Sequence, residues 1–170
     1  ANTAVGKDAL EDCNPASAVT MYNSAFGMGA GANVTTGTFN TFMGALSGGG
    51  ANLTGTHNCA SGMESLYAIT SGSYNCGLGY QTGAGITTGD YNVCIGYQAG
   101  IYNIPITTGG NNIVIGPYAR PSANAAANQI VMGYNVQCAG DNNFTIGNSS
   151  TDSNIAFGET SITAPSDQRY

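Results

Sequence analysis

A chain of 170 residues with nine acidic and three basic side chains carries a net charge of −6. It therefore lacks the cationic footprint that nucleic acid or an anionic membrane surface would require, and no apolar run reaches the length of a membrane-spanning helix; neither nucleic-acid binding nor membrane insertion is expected. Leu, Ile, Val and Phe together number 29 of 170, too few for an ordinary monomeric core, while the 7% charged content is equally unlike a disordered chain.

The pattern NxxxG runs through the whole chain: NTAVG at Asn2, NSAFG at Asn23, NTFMG at Asn40, NCASG at Asn58, NCGLG at Asn75, NVCIG at Asn92, NIVIG at Asn112, QIVMG at Gln129, NFTIG at Asn143 and NIAFG at Asn154. Self-similarity at a fixed period marks a stacked repeat architecture. The period is about 17 residues, room for short strands and turns but too short for a strand, a crossover helix and two loops. The fold class expected is all-β: a β-solenoid of about ten short coils over residues 1–158, each built as strand, corner, strand and turn. At a strand spacing of roughly 4.8 Å the stack would be about 50 Å long.

The fourth motif position is apolar in nine of ten copies, from Val5 and Phe26 to Ile146 and Phe157, and is expected in the core. Alternation along a strand puts the second position on the same face and sends Asn, the third residue and Gly to the other. The second position changes from Thr3 and Ser24 to Ile113, Ile130, Phe144 and Ile155, which with the shorter final spacings suggests a rod that tightens towards its C-terminal end. Three residues past each motif glycine stands a small side chain, as in GYQTG from Gly79 and GYQAG from Gly96, read as a second strand or corner. Gly37, Gly55, Gly72, Gly89, Gly109 and Gly140 lie three residues before their asparagines and are expected to supply positive φ for a tight turn. Insertions fall at Glu11 to Val19 and Ile101 to Pro105; the Ala- and Asn-rich stretch Ser122 to Gln129 occupies the turn slot and reads as loop.

Asn23, Asn40, Asn58, Asn75, Asn92 and Asn112 would lie above one another and form a structural amide ladder. Tyr22, Phe39, His57, Tyr74 and Tyr91, each just before a motif asparagine, form an aromatic column, with Tyr80, Tyr97 and Tyr134 in a second slot after the glycine. Aromatic faces pack on sugars, so Tyr74, Tyr80, Tyr91 and Tyr97 are candidate glycan contacts, although a structural role explains the column without a ligand. The carboxylates occupy no repeated slot that would create the spaced pair of a glycosidase, and His57 beside Cys59 reads as one rung of two columns. Five cysteines without CxxC spacing are expected to be free thiols. No metal, cofactor or catalytic residue is expected in this segment.

The repeats NTAVGKDAL and NVCIGYQAG resemble the NTAIGYQAL-like arrays of phage tail fibres and, more distantly, the β-roll heads of trimeric autotransporter adhesins. Ser166, Asp167 and Arg169 are similar to the start of the SDxRxK signature that opens the intramolecular chaperone domain of endosialidase-type tail proteins. The resemblance implies an intertwined or side-by-side homotrimer in the virion, a rigid rod for host-surface attachment, with a host glycan or protein as partner. It also implies that residues 159–170 are a stub leading into a chaperone domain absent here, with self-cleavage between Pro165 and Ser166. A bacterial-surface adhesin head is the alternative, and a polysaccharide-cleaving β-helix a more remote one.

Overall fold

The computed structural model describes residues 1–13 and 21–158. Ten strands form one sheet in chain order and no helix occurs among the described residues: β1 (Thr3–Val5), β2 (Ser24–Phe26), β3 (Thr41–Met43), β4 (Cys59–Ser61), β5 (Cys76–Leu78), β6 (Val93–Ile95), β7 (Ile113–Ile115), β8 (Gln129–Tyr134), β9 (Asn143–Asn148) and β10 (Asp152–Ala156). Strands β1 to β9 are parallel and in register, motif on motif, so that Thr41 pairs with Cys59 and Cys59 with Cys76. This is a β-solenoid of about eight turns rather than ten coils. The last motif copy does not stack as a further coil. Only 11 residues separate Asn143 from Asn154, enough for a strand, a turn and a strand back, and β10 pairs antiparallel with β9. Asn148 Oδ1 accepts the N–H groups of Ser150 and Thr151, each at 3.0 Å, and holds the turn. The short final spacings are therefore a hairpin and not a tightening of the rod.

Each coil contributes one strand to the sheet, not two. Past the motif glycine the chain returns through consecutive turns, with Leu46, Leu66, Gln81 and Gln98 at φ between 51° and 57°. Backbone bonds still join coil to coil along this return: Leu66 N–H to Thr82 O at 3.0 Å and Gln98 N–H to Tyr80 O at 2.9 Å. The small residues three places past the glycine fill the corner, and Ala30, Ser47, Ser65, Thr82, Ala99 and Ala119 are fully buried.

The two faces of the strand are the reverse of the expectation. The third position points inward: Ala25, Phe42, Ala60, Cys94, Val114 and Val131 are fully buried, together with the motif asparagines from Asn23 to Asn112. The second and fourth positions point out, and Val5, Met43 and Leu78 are each at least half exposed. Alternation shows which residues share a face but not which face is inside. A narrow coil has little room between strand and return path, and that room goes to the asparagines, the small third residues and Leu53, Leu66, Ile69, Ile86 and Ile106 from the return. Volume is traded between neighbours. Phe42 fits because Gly31 and Gly48 leave space where a Cβ would strike its ring, and Gly77 faces Leu66, Ser65 and Thr82.

The turn glycines also act differently from the expectation. None of Gly37, Gly55, Gly72, Gly89, Gly109 or Gly140 has positive φ; the left-handed residue is the one just before the motif asparagine, an aromatic from Tyr22 at 53° through Tyr74 at 60° to Tyr91 at 58°, then Asn111 and Asn142. Such a conformation costs a non-glycine residue about 1–2 kcal/mol. The turn glycine is required by close approach instead: a Cβ on Gly37 would lie 2.5 Å from Gly55 O, and one on Gly55 would overlap Gly72 O. Ile101 to Pro105 leaves the stack as a loop, closed by Ile106 N–H to Gly100 O at 2.9 Å. The stretch from Ser122 is a loop, pinned by Gln129. Part of the earlier insertion, and Pro165 and Ser166, lie outside the described residues.

Substituting Gly55→Ala is expected to destabilise the fold by about 3 kcal/mol, because backbone lies against it. Gly140→Ala, in the same slot but with nothing within 4 Å, should change stability by less than about 0.5 kcal/mol. Urea midpoints of the two variants measure the difference.

Candidate functional site

Three sets of repeated side chains are brought together by the register. The first is internal. From Asn23 to Asn112, each motif asparagine bonds two backbone groups of the next coil. Its Oδ1 accepts the N–H of the next motif residue at 2.8–3.2 Å, in an unbroken series from Asn2 through Asn23, Asn40, Asn58, Asn75, Asn92 and Asn112 to Gln129. From Asn23 to Asn112, its Nδ2 also donates at 2.8–3.0 Å to the carbonyl of the next coil's turn residue, Gly37, Gly55, Gly72, Gly89, Gly109 or Ala126. The series ends at Gln129, whose longer side chain turns to Ser122 Oγ and Asp141 Oδ1, at 2.6 and 2.8 Å. No buried side-chain nitrogen or oxygen among the described residues lacks a partner.

The second set is the aromatic column. Tyr22, Phe39, His57, Tyr74 and Tyr91 stack face to face, with centroids 4.8–5.3 Å apart and planes within 18°. Every inner ring has both faces covered by its neighbours, and solvent meets ring edges. Packing a sugar on the face of Tyr74 would require the column to open; Tyr91 keeps one face. The column stops because Asn111, Asn128 and Asn142 take over the slot with the same positive φ.

A third set sits past the motif glycine. Tyr80 stacks on Tyr97 at 5.3 Å, but Tyr118 meets Tyr97, Tyr102 and Tyr134 edge to face at 5.2, 4.8 and 6.0 Å. Partial desolvation, then the neighbouring phenols of Tyr97, Tyr134 and Tyr102, raise the Tyr118 phenol above its usual value. Arg120 lies 5.8 Å over the ring of Tyr102. Sequence reasoning singled out Tyr80, Tyr97 and Tyr134 and missed Tyr102, Tyr118 and Arg120. The available signals were the insertion that carries Tyr102 and Pro117 standing in the tyrosine slot, which displaces the ring by one residue.

His57 is held in the column with Nδ1 3.0 Å from Thr56 Oγ1. Asp90 accepts the Ser73 N–H at 2.7 Å and Asp141 the Ala127 N–H at 2.9 Å, as turn caps. No group of three or more His, Cys, Asp or Glu that could hold a metal occurs among the described residues. The five cysteines are free. Cys59 and Cys76 pair directly across adjacent strands, whereas Cys94 is fully buried and burial pushes its thiol up to about 12. Comparison with protein-family models, curated proteins and solved structures returns no match for this chain.

Three predictions follow from the interior. Asn58→Asp can still accept the Asn75 N–H but turns a buried carboxylate oxygen towards Gly72 O and Asn40 Oδ1, and Asn58→Ala leaves both groups unpaired at about 1–3 kcal/mol each; unfolding curves should place both variants at least about 2 kcal/mol below the wild type. At pH 8 a thiol reagent should spare Cys94, which is buried within the chain itself, until the protein unfolds. Because the Cys94 thiol titrates near 9.0 when unfolded and about 12 when folded, the unfolded chain releases its proton first. The Cys94 contribution to stability should then be intact below pH 9 and fall as pH rises towards 12.

Proposed function

We propose that this chain is a rigid segment of a homotrimeric phage tail fibre, acting in the virion as shaft and host-attachment surface. The observation that carries the reading is the outward face of the sheet. Its second and fourth motif positions contain no charged residue in any of the ten copies, and Val5, Phe26, Met43, Leu78 and Ile146 stand exposed there in line. Met28 and Met63 extend the apolar surface beyond the glycine corner. An uncharged face with apolar side chains exposed in line on a folded protein marks an interface. The partners that fit it are further copies of this chain, since identical coils present identical residues at identical spacing and a closed ring leaves none of the face in water.

The number three, the virion setting and the attachment role come from the resemblance of the repeats and of the Ser166, Asp167, Arg169 tail to phage fibre sequences. The role proposed is mechanical and adhesive. Parallel coils bonded on all sides give stiffness, and the loops and tyrosines outside the sheet face are available to a host glycan or protein.

Sedimentation equilibrium of the chain should give three times the 17.1 kDa protomer mass. Leu78→Glu and Met43→Glu, both on the exposed face, should yield monomers with an unchanged far-ultraviolet circular dichroism spectrum. A wild-type protein that remains a monomer at micromolar concentration would sink the proposal.

A further inference from the structure

The repeat is broken on the surface at one corner, and the break gathers unlike chemistry. The spacing from Gly96 to Gly116 is 20 residues instead of 17. The surplus leaves as the loop from Ile101 and carries Tyr102 out of the stack. In the following coil Pro117 displaces the tyrosine to position 118, where φ is 59°. These two irregularities replace face-to-face stacking by edge-to-face contacts at 71°, 63° and 83°. In a parallel stack each inner ring loses both faces to its neighbours. An edge-to-face contact covers one face of only one of its two rings; Tyr97 gives one face to Tyr80 and Tyr102 one to the Arg120 guanidinium, and ring surface is left to a ligand by the exposure of the outer rings. Tyr97, Tyr102 and Tyr134 are all substantially exposed.

Arg120 stands beside them. The described residues contain two cationic side chains, Lys7 and Arg120. Lys7 is paired with Asp8 at 2.5 Å. Arg120 is held by neutral acceptors alone: Nη1 donates to Asn135 Oδ1 at 2.6 Å, Asn135 O at 3.3 Å and Tyr118 O at 3.5 Å, and Nε to Gln137 Oε1 at 3.3 Å. The guanidinium is fixed in place without being neutralised, and both N–H bonds of Nη2 have no partner among the described residues. A positioned guanidinium with free donors suits a carboxylate, and exposed ring surface suits the C–H face of a pyranose.

We propose that the corner made by Tyr97, Tyr102, Tyr118, Tyr134 and Arg120 binds a carboxylate-bearing sugar, the rings taking the pyranose and Nη2 of Arg120 the carboxylate. The choice of a saccharide rests on the attachment reading above; the choice of an acidic one rests on Arg120.

Saturation-transfer NMR and calorimetry with a glucuronic-acid oligosaccharide, a matched glucose oligosaccharide and glucose 6-phosphate test it. The uronic oligomer should bind most tightly. Arg120→Gln should weaken it by at least about tenfold and leave the glucose oligomer unchanged, and Tyr102→Ala, on the surface loop, should weaken both oligomers. Tyr22→Ala, in the stacked column, should alter neither. Equal binding of acidic and neutral oligomers, tighter binding of the phosphosugar, no binding by the folded protein, or an Arg120→Gln variant with full affinity would each overturn the proposal. Sedimentation of the same samples separates the two readings: a monomer that binds the uronic oligomer refutes the trimer and supports this site.

Discussion

The amide of the motif asparagine is the interaction on which the rest of this structure depends. It joins one coil to the next at two backbone groups that the sheet itself does not pair, the N–H at the start of the strand and the carbonyl of the turn before it. Placing that amide inside determines the neighbouring positions by parity. The third residue shares the interior and is small where the return path is bulky, and the second and fourth residues face out. Bringing the turn carbonyl within reach of the amide also presses successive turns together until a side chain at Gly37, Gly55 or Gly72 has nowhere to go, and sends the aromatic between turn and asparagine into the left-handed region. The strain at Tyr22, Phe39, His57, Tyr74 and Tyr91 persists because hydrogen bonds on one side and stacked rings on the other leave those residues no alternative.

Much of this could be read from the sequence, because a repeat writes the same contact many times over. The all-β solenoid, the stacking of asparagine on asparagine, the order of the aromatic column and the loop at Ser122 all follow from period and residue type. What could not be read is sign. Period-two alternation gives the same pattern whether Phe26 and Met43 face in or out, and assigning greasy residues to the interior is sound only where the interior is large. Here the coil is already filled by the amides, the third residues and the large side chains of the return such as Leu53, Leu66 and Ile86, so the apolar fourth position lies outside. The hairpin of β9 and β10 was concealed for a related reason: NIAFG matches the motif letter for letter, and only the distance to its neighbour separates a strand that stacks from one that doubles back. Tyr118 and Arg120 escaped notice because a search for repeats passes over the residues that break them.

The interior pairs an apolar cluster with a ladder of fully bonded amides, and an uncharged, largely apolar sheet face lies on the surface. A single chain of this kind leaves that uncharged sheet face uncovered along the described strands, which is the physical basis for the proposed assembly of identical chains. The surface past the glycine corner differs from the sheet face in its phenols, its one unneutralised guanidinium and its irregular backbone. If the sheet face serves the fibre itself, the irregular corner is where the repeat has been given up for something the rod does not need.

The strict register of the coils has a consequence for how such a molecule can change over time. Inserting or deleting one residue within a strand would flip every following contact to the wrong face, so variation of that size is confined to the loops. Loss or gain of a whole 17-residue unit, by contrast, reconnects asparagine to asparagine and ring to ring with nothing out of place. Length is therefore inherited in whole steps of roughly 4.8 Å, and a lineage can lengthen or shorten its rod by copying units without redesigning a single contact.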